Sequence, residues 1–388
     1  MDAVITGVGM TALQKKAPAG TIALAAEALD GAMADAQIAA EDIDGLSVHI
    51  GSPRGQDYDR LAESLGLTTR FSSQTWSHGR FMSTVVAHAG MAVSEGLADN
   101  IACIAAYRNS AFPRIGQVGN PFFDEVLREG GGPHGEQGGI GMLAPTGGAA
   151  LAWHRYLTRY GADEATLARI AITQRAAASR NDRAVLQRPI ALEEYQASPY
   201  VVEPLRRLDC SIPVDGAVCV IVSRSVGIQD LRAAVRIAGV QGLHAGAERY
   251  IFGPRGLGLW GQSDSRPTWR QAQEHHAFQS ADVAVEDIDL FYTYDAFTPC
   301  VVFALEDYGF FPPGEAGDAL AEGALHREGR AWVNTNGGLL SEGHFNGWGH
   351  LHEMVLQVRG RAGPRQLAGV RVAAWGALAG DALVLTAA

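Results

Sequence analysis

The stretch that decides the fold of this chain reads Asn334-Thr335-Asn336-Gly337-Gly338-Leu339-Leu340-Ser341-Glu342-Gly343-His344. Its glycines allow backbone to approach a ligand at positions where any Cβ would clash. Apolar residues then recur at helical spacing until Gly360, which predicts a helix with His344 at its entrance (Leu351, Met354, Val355 and Val358). Because a helix start favours negative charge, we expect an oxyanion site beside His344, with four residues of the stretch as ligand contacts (Asn336, Gly337, Gly338 and Gly343).

The chain also contains an internal repeat. An alanine-rich helical pattern over 24–46 ends in Glu41-Asp42-Ile43-Asp44, and a similar pattern over 270–291 ends in Glu286-Asp287-Ile288-Asp289, 245 residues further on. The alternative is that such short patterns recur by chance. A second repeated pair, described next, favours a true duplication because the order of elements repeats as well as the composition.

The second pair consists of a helix followed by an apolar strand. A helix over 83–96 precedes a strand over 101–106, and a helix over 347–360 precedes a strand over 370–375. The sequence therefore predicts an α/β fold of two duplicated halves, 1–225 and 226–388, each with a mixed five-stranded sheet.

The first predicted half carries a loop insertion at about 108–200. It holds a glycine-rich run over 130–141 and two helical patterns at about 145–160 and 164–180. The run lacks the GxxxxGK[ST] and GxGxxG contexts of phosphate-binding loops. We therefore expect a loop, with phosphate contact as the alternative.

Composition excludes several functional classes. Of 388 residues 47% are hydrophobic and 19% charged, and the formal net charge is −11 without a basic run, which argues against nucleic acid or an anionic membrane as the main partner. No apolar stretch reaches the roughly 18 residues of a membrane span. The four cysteines form no CxxC pair, which is typical of a cytoplasmic protein. The only lysines are the adjacent Lys15 and Lys16, so a Schiff-base mechanism is not expected.

Two histidine pairs raise the question of a metal. His275-His276 falls in a pattern that predicts an exposed helix, and His350 with His352 follows the glycine stretch. Neither pair has a third ligand at zinc-like spacing, so we predict no metal site.

Four motifs in combination identify a family resemblance. They are Ile43-Asp44-Gly45-Leu46, Val214-Asp215-Gly216-Ala217, Tyr294-Asp295-Ala296-Phe297 and the stretch from Asn334 to His344. Their order resembles the thiolase superfamily, in its lipid-transfer-protein-like (sterol carrier thiolase-like) branch. The resemblance implies a five-layered αβαβα fold, a homodimer, and acyl-CoA substrates with no other cofactor. It also implies a small partner protein with an OB-fold and a zinc ribbon, which would give a heterotetramer.

The chain departs from the family at both catalytic cysteines. The resemblance places the nucleophilic cysteine at Gly79, within Ser77-His78-Gly79-Arg80, and the second cysteine near residues 372–376, and neither position holds a cysteine. Without a thiolate, ordinary thiolysis is not expected. Ser77, His78 and Cys300 are secondary candidates for catalysis, and Gly79 for substrate binding.

Tyr294 occupies the first position of the family's Asn-Glu-Ala-Phe motif. A phenol there, with an unperturbed pKa of about 10, can donate or accept a proton. The chain in this respect resembles the steroid side-chain aldolases of the superfamily, which lack the cysteine and use tyrosine. The resemblance implies Tyr294 as the base, alone or with His344, and His344 as a stabiliser of the enolate oxygen. Tyr292 is a secondary candidate, and either tyrosine can instead be a core aromatic. Asp295 would face the other side of a strand, where we expect it to cap or pair.

The resemblance thus predicts an acyl-CoA carbon–carbon lyase. Its reaction would be retro-aldol cleavage of a β-hydroxyacyl-CoA, with a steroid or other bulky acyl group, to a carbonyl compound and a shorter acyl-CoA. His344 stands where those aldolases carry a second tyrosine, which leaves the acyl group open. The alternatives are a thiolase-like acyltransferase with an atypical nucleophile and a non-catalytic acyl-CoA or lipid-binding subunit.

Overall fold

The structure is a computed structural model, and it describes residues 2–49, 56–75, 82–111, 144–163, 165–226, 234–242, 275–327, 329–378 and 381–388. The strands of these residues are β1 (Ala3–Met10), β2 (Gly45–His49), β3 (Phe71–Thr75), β4 (Asn100–Arg108), β5 (Tyr200–Val202), β6 (Leu205–Arg206), β7 (Asp215–Arg224), β8 (Val235–Gln241), β9 (Leu290–Tyr292), β10 (His326–Arg327), β11 (Arg330–Ala331), β12 (Val372–Gly376) and β13 (Ala382–Ala387).

The α-helices of the described residues are α1 (Thr21–Ala36), α2 (Tyr58–Leu65), α3 (Met82–Ser94), α4 (Pro145–Tyr160), α5 (Ala165–Ala178), α6 (Leu192–Ala197), α7 (His276–Ala281), α8 (Thr298–Asp307), α9 (Ala316–Ala321), α10 (Gly338–Ser341) and α11 (Trp348–Val358). Helices predicted around 145–160, 164–180, 83–96 and 347–360 are therefore present as α4, α5, α3 and α11. The helix after the glycine stretch begins four residues beyond His344, at Trp348.

Nine of these strands form a sheet in the order β3-β2-β4-β7-β1-β8-β13-β12-β9, and the pairs β5-β6 and β10-β11 form two small sheets apart from it. Within it β2 runs parallel to β3 and β4, and β9 runs parallel to β12, whereas the remaining pairs are antiparallel. The sheet differs from the two predicted five-stranded sheets in two respects. Among the described residues the first half contributes five strands and the second half four (β8, β13, β12 and β9), and the two sets are joined. The antiparallel pairs Val4–Arg236 and Ile5–Val235 join β1 to β8, so the hydrogen-bonded ladder is continuous across the two halves.

The duplication is visible in matching local structure. Each half has a 3-10 turn whose aspartate accepts the N–H of the residue before the turn, at 2.9 Å in both cases (Asp42 and Asp287). Two residues later in each half, another aspartate accepts backbone N–H groups at the start of the strand next in the sheet, β4 for Asp44 and β12 for Asp289. The two aspartates of the repeated Glu-Asp-Ile-Asp motif therefore form equivalent backbone hydrogen bonds in both halves.

The helices form layers around the sheet. Helices α3 and α11 contact strands of both halves, whereas α1 packs on β1, β4 and β7 and α7 packs on β8 and β13. Along β4, alternate side chains belong to separate cores: Ala102, Ile104 and Ala106 face α1, and Cys103, Ala105 and Tyr107 join the core that contains α3. This arrangement gives the predicted αβαβα order, with α3 and α11 in the middle.

Some sequence predictions fall outside the described residues or remain predictions. The glycine-rich run over 130–141 lies outside them, and so do residues 227–233 at the predicted boundary between the halves. No helix of the described residues is both long and apolar enough to cross a membrane.

Candidate active site

The candidate site is assembled from three chain segments near the ends of β7, β9 and the glycine stretch. Ser211 donates its backbone N–H to the Ala296 carbonyl at 2.9 Å, and His344 donates its N–H to the Ile212 carbonyl at 2.7 Å. Asn334, which has a φ of 48°, holds the backbone of Thr293 from both sides. Its Oδ1 accepts the Thr293 N–H at 2.9 Å and its Nδ2 donates to the Thr293 carbonyl at 3.2 Å.

These connections bring the two predicted catalytic residues together. The Tyr294 hydroxyl lies 2.9 Å from His344 Nε2, and the two rings meet edge to face with centroids 5.5 Å apart. On the other side of the imidazole, Nδ1 lies 2.7 Å from the Ser211 hydroxyl. Asn346 Oδ1 lies 3.1 Å from Nε2. Tyr294, His344 and Ser211 are half-buried.

The geometry around His344 fits both protonation states of its ring. In the neutral form, Nε2 accepts the Tyr294 proton while Nδ1–H donates to Ser211. In the imidazolium form, Nδ1–H still donates to Ser211 and Nε2–H donates to Asn346 Oδ1. The site can therefore take a proton from the Tyr294 phenol and retain it on the imidazole.

Asp295, the residue after Tyr294, is fully buried and has a structural contact. Its Oδ1 accepts the Leu339 N–H at 2.9 Å in the first turn of α10, and it lies 3.0 Å from His350 Nε2. These contacts agree with the expectation that Asp295 caps or pairs.

The glycines of the stretch adopt backbone conformations that favour glycine, and they lie close to other protein atoms. Gly337 and Gly338 have φ values of 100° and 66°. A Cβ on Gly337 would meet Ala178, and one on Gly338 would meet the Asp295 carboxylate. Gly343 has a φ of 145°, and its Cβ would meet Val214. The described neighbours therefore explain the glycines by packing, and their predicted approach to a ligand stays a prediction.

Tyr292 and Cys300 are buried. Tyr292 Oη lies 2.6 Å from Thr335 Oγ1, and burial raises the pKa of this phenol well above its usual value. Cys300 lies in the first turn of α8, where burial raises the pKa of its thiol to about 12. Such a thiol is protonated at neutral pH and is a poor nucleophile. Ser77, His78 and Gly79 lie outside the described residues.

The histidine pairs do not assemble a metal site among the described residues, where no group of three or more His, Cys, Asp or Glu side chains is placed to hold an ion. The prediction of an exposed pair at His275-His276 is wrong for His275. That ring is buried, stacks on Tyr308 and has Nε2 2.7 Å from the Asp307 carbonyl. Burial, assisted by nearby arginines, lowers the pKa of His352 to about 3, so that ring is neutral.

Sequence reasoning missed two residues of the site, Ser211 and Asn346. Ser211 belongs to a segment whose sequence indicates only the approach to a buried strand. Its position depends on the pairing of Pro213 with His344, a contact between residues far apart in the chain. The sequence gives a stronger signal for Asn346, because it lies two residues after His344. Its φ of 49° is typical of asparagine at a turn.

Known proteins share the whole length of this fold. The family model of the thiolase C-terminal domain matches residues 264–384. The chain is 31% identical over 379 residues to the 17-hydroxy-3-oxo-4-pregnene-20-carboxyl-CoA lyase of Mycobacterium tuberculosis, with 92% of each chain covered. It is 30% identical over 380 residues to the steroid side-chain-cleaving aldolase of Thermomonospora curvata, with 92% of this chain and 90% of that protein covered.

A solved structure agrees with these relatives. The structure of the "Ltp2-ChsH2(DUF35) aldolase" matches with a TM-score of 0.82 and 28% identity, over 100% of this chain and 98% of that chain. The resemblance inferred from the motifs is confirmed. This chain belongs to the thiolase superfamily, in the group of thiolase-fold lyases that includes the steroid side-chain-cleaving aldolases.

Proposed function

We propose that this protein is an acyl-CoA carbon–carbon lyase that cleaves a β-hydroxyacyl-CoA by a retro-aldol reaction. The carrying observation is the contact of 2.9 Å between Tyr294 Oη and His344 Nε2, in a chain with no cysteine at Gly79 or at 372–376. The names of the two relatives, a carboxyl-CoA lyase with a hydroxylated substrate and a side-chain-cleaving aldolase, support this reaction class.

The first step is proton removal from the β-hydroxyl group. His344 Nε2 takes the phenolic proton of Tyr294, and the Tyr294 oxygen takes the proton of the substrate hydroxyl. The alkoxide then forms a carbonyl as the bond between Cα and Cβ breaks. The electron pair of that bond passes into the thioester, which becomes an enolate.

The second step is collapse of the enolate to product. Donors directed at the enolate oxygen lower its energy, and loss of one such donor typically costs about 3–4 kcal/mol. The donor proposed here is the Nε2–H of the His344 imidazolium, which would turn from Asn346 Oδ1 to the enolate oxygen. Tyr294 then gives its hydroxyl proton to Cα and takes back the proton held on His344 Nε2, which yields the shorter acyl-CoA and restores both side chains. The reaction requires no resident cofactor because the thioester itself accepts the electron pair.

The relatives support a proposal for the substrate class and for a second subunit. A steroid or similarly bulky acyl group is proposed, as the relatives' names concern steroid side chains. A homodimer core is proposed, with a small second subunit carrying an OB-fold and a zinc ribbon. The solved structure that joins an aldolase to ChsH2(DUF35) supports a second subunit.

Product analysis by mass spectrometry tests the function. The protein, with and without a co-encoded small subunit, is incubated with β-hydroxyacyl-CoA and β-ketoacyl-CoA esters in the absence of free CoA. A shortened acyl-CoA with an equimolar ketone or aldehyde from a β-hydroxy ester is the expected result. Reaction of β-keto esters only after addition of CoA would instead establish thiolysis, and no product from either series with the small subunit present would indicate a binding subunit.

A further inference from the structure

A buried network of polar side chains lies beneath the catalytic pair and extends from Asp295 to Glu342. His350 Nε2 lies 3.0 Å from Asp295 Oδ1, and His350 Nδ1 lies 3.0 Å from Asn336 Nδ2. The same Asn336 amide donates to Glu342 Oε2. Asp295 directly follows Tyr294, and Glu342 precedes His344 by two residues. The network therefore connects the backbone near Tyr294 to the backbone near His344.

The direction of the hydrogen bonds in this network can be assigned. The Gly338 N–H donates to Asn336 Oδ1 at 3.3 Å, which leaves Nδ2 facing both His350 and Glu342. Because Asn336 Nδ2 is a donor, His350 Nδ1 must be the acceptor and its proton must be on Nε2, which donates to Asp295. With these directions, Glu342 only accepts hydrogen bonds from the network and donates none.

Glu342 accepts hydrogen bonds on both of its carboxylate oxygens. Asn181 Nδ2 donates to Oε1 at 2.9 Å and also to the Asn336 carbonyl at 2.9 Å, while Asn336 supplies Oε2. The Glu342 carbonyl accepts the Val185 N–H at 3.0 Å. A Cβ on Gly349 would meet Oε2, so the first turn of α11 is shaped around this carboxylate.

We propose that Glu342 is a positioning residue for the reaction: through Asn336 and His350 its carboxylate fixes the separation of Tyr294 and His344. This inference rests on the proposed lyase function. Glu342 does not contact the reacting atoms. A carboxylate is required because each of its oxygens faces an N–H donor, and an amide would place an NH₂ group against one of them.

The same arrangement makes the position of the pair sensitive to protonation. Burial raises the pKa of Glu342 to about 7, although the hydrogen bonds of Asn181 and Asn336 act in the opposite direction. Among the described residues, the other titratable or charged groups near this network include Glu353 with its partner Arg365, Asp295, Tyr292, and Arg175, which bonds Ser341. A proton on either Glu342 oxygen displaces one N–H donor, so we expect kcat to fall as the pH drops through 7.

Glu342→Gln with Glu306→Gln as a matched control tests the proposal. Glu306 is also buried, and burial raises its pKa to about 7 as well, but its described hydrogen bonds go to Tyr156, Gly314 and Ala316. For Glu342→Gln we expect kcat to fall at least tenfold at pH 8 with KM within about twofold, and the acid limb near pH 7 to disappear. Glu306→Gln should keep the wild-type kcat and pH profile.

A second readout does not depend on turnover. The titration midpoint of the His344 imidazole, followed by side-chain NMR, should shift by about half a pH unit or more in Glu342→Gln and remain unchanged in Glu306→Gln. Glu342→Asp, which keeps the charge, serves if the glutamine variant does not fold, and it should retain the acid limb.

The outcomes separate the inference from the proposed function. An unchanged His344 midpoint with a wild-type kcat in Glu342→Gln overturns the inference, and so does an equal loss in both glutamine variants. Failure of the wild-type protein to cleave any β-hydroxy ester, with the NMR shift present, overturns the lyase function and leaves the positioning role of Glu342 supported.

Discussion

At the scale of single residues, the two tyrosines near the end of β9 have different surroundings. Tyr294 is half-buried and contacts His344, whereas Tyr292 is fully buried against Thr335. We expect Tyr294→Phe to lower kcat/KM by about 10²–10⁴-fold, the usual contribution of general acid–base catalysis, and to leave the Kd of a CoA ester unchanged. Steady-state kinetics and calorimetric titration measure the two quantities.

Tyr292→Phe is the matched comparison for that variant. It removes the same atom two residues away and should lower the free energy of unfolding by about 1 kcal/mol, the usual value of one hydrogen bond, with turnover retained. Loss of turnover in Tyr292→Phe with turnover retained in Tyr294→Phe would reverse the assignment.

Ser211 supplies the other side of the imidazole. Ser211→Ala removes the partner of His344 Nδ1, so the protonated ring loses one acceptor. We expect kcat to decrease about tenfold or more, because one hydrogen bond to a charged group contributes about 1.5–3 kcal/mol. The apparent pKa of the basic group in the kcat profile should also decrease. A Thr substitution retains the hydroxyl and should restore most of kcat, and equal losses in both variants would contradict this role.

The residues of the site differ in how far the sequence could reveal them. Tyr294 and His344 were found because their motifs carry family information. Ser211 has no such signal, since a serine before a strand is common and its contact with His344 joins segments 133 residues apart. Glu342 lies inside the glycine stretch, but its role depends on contacts with buried side chains that include Asn181 and Asp295 from distant segments, and a single sequence does not show these contacts.

At the scale of secondary-structure elements, the conformation at the start of α10 is the critical feature. Gly338→Ala places a methyl group at a φ of 66° and against the Asp295 carboxylate. We expect a loss of about 3 kcal/mol or more in the free energy of unfolding, together with a large loss of kcat. Chemical denaturation and kinetics at one temperature provide both values.

Gly360→Ala is the control for backbone strain alone. Gly360 follows α11 with a φ of 68°, and a Cβ there would meet nothing within 4 Å. We expect a loss of about 1 kcal/mol and unchanged kcat. An equal effect of the two alanines on activity would show that the contact with Asp295 is unimportant.

Elements were easier to predict than their contacts. The helical spacing in α3, α4, α5 and α11 is set by local apolar periodicity, so their limits differ from the predicted ones by a few residues. The continuity of the sheet through β1 and β8 was not predicted. It depends on the two edge strands lying side by side, and hydrophobic periodicity contains no information on which strands become neighbours.

At the scale of the whole molecule, buried ionisable groups make stability depend on pH, and Glu306 and Glu342 are two of them whose pKa is raised to about 7. The pKa of Glu306 is raised by burial from 4.5 to about 7 in the folded state. The folded protein therefore binds the proton more tightly than the unfolded chain. The tighter proton binding adds to the free energy of unfolding, on the order of 3 kcal/mol for one such group. This contribution is fully present below pH 4.5 and is lost as the pH rises through 7.

Urea unfolding at pH 5 and pH 7.5 checks this prediction. Glu306→Gln should flatten the decrease between the two pH values, and the contribution of Glu342 should remain. Asp35 and Asp44, whose pKa values are lowered from 3.8, act at lower pH and do not overlap with this window. His352, whose pKa is lowered to about 3, adds stability as the pH rises to 6.5 and offsets part of the decrease, but its contribution is the same in wild type and in Glu306→Gln. A wild-type free energy of unfolding that rises from pH 5 to 7.5, or a variant with an unchanged slope, would contradict the assignment.

The duplicated turn has a further consequence for the division of tasks between the two halves. The offset of 245 residues that relates Asp44 to Asp289 relates His49 to Tyr294. His49 ends β2, is fully buried and accepts the Trp348 indole N–H, whereas Tyr294 is only half-buried and faces an imidazole. The two copies of the repeat thus place an ionisable ring at matching positions, and in the first copy the Trp348 indole occupies one nitrogen of that ring. Of these two rings, His49 packs in the interior, whereas Tyr294 is the one with partial access for proton transfer.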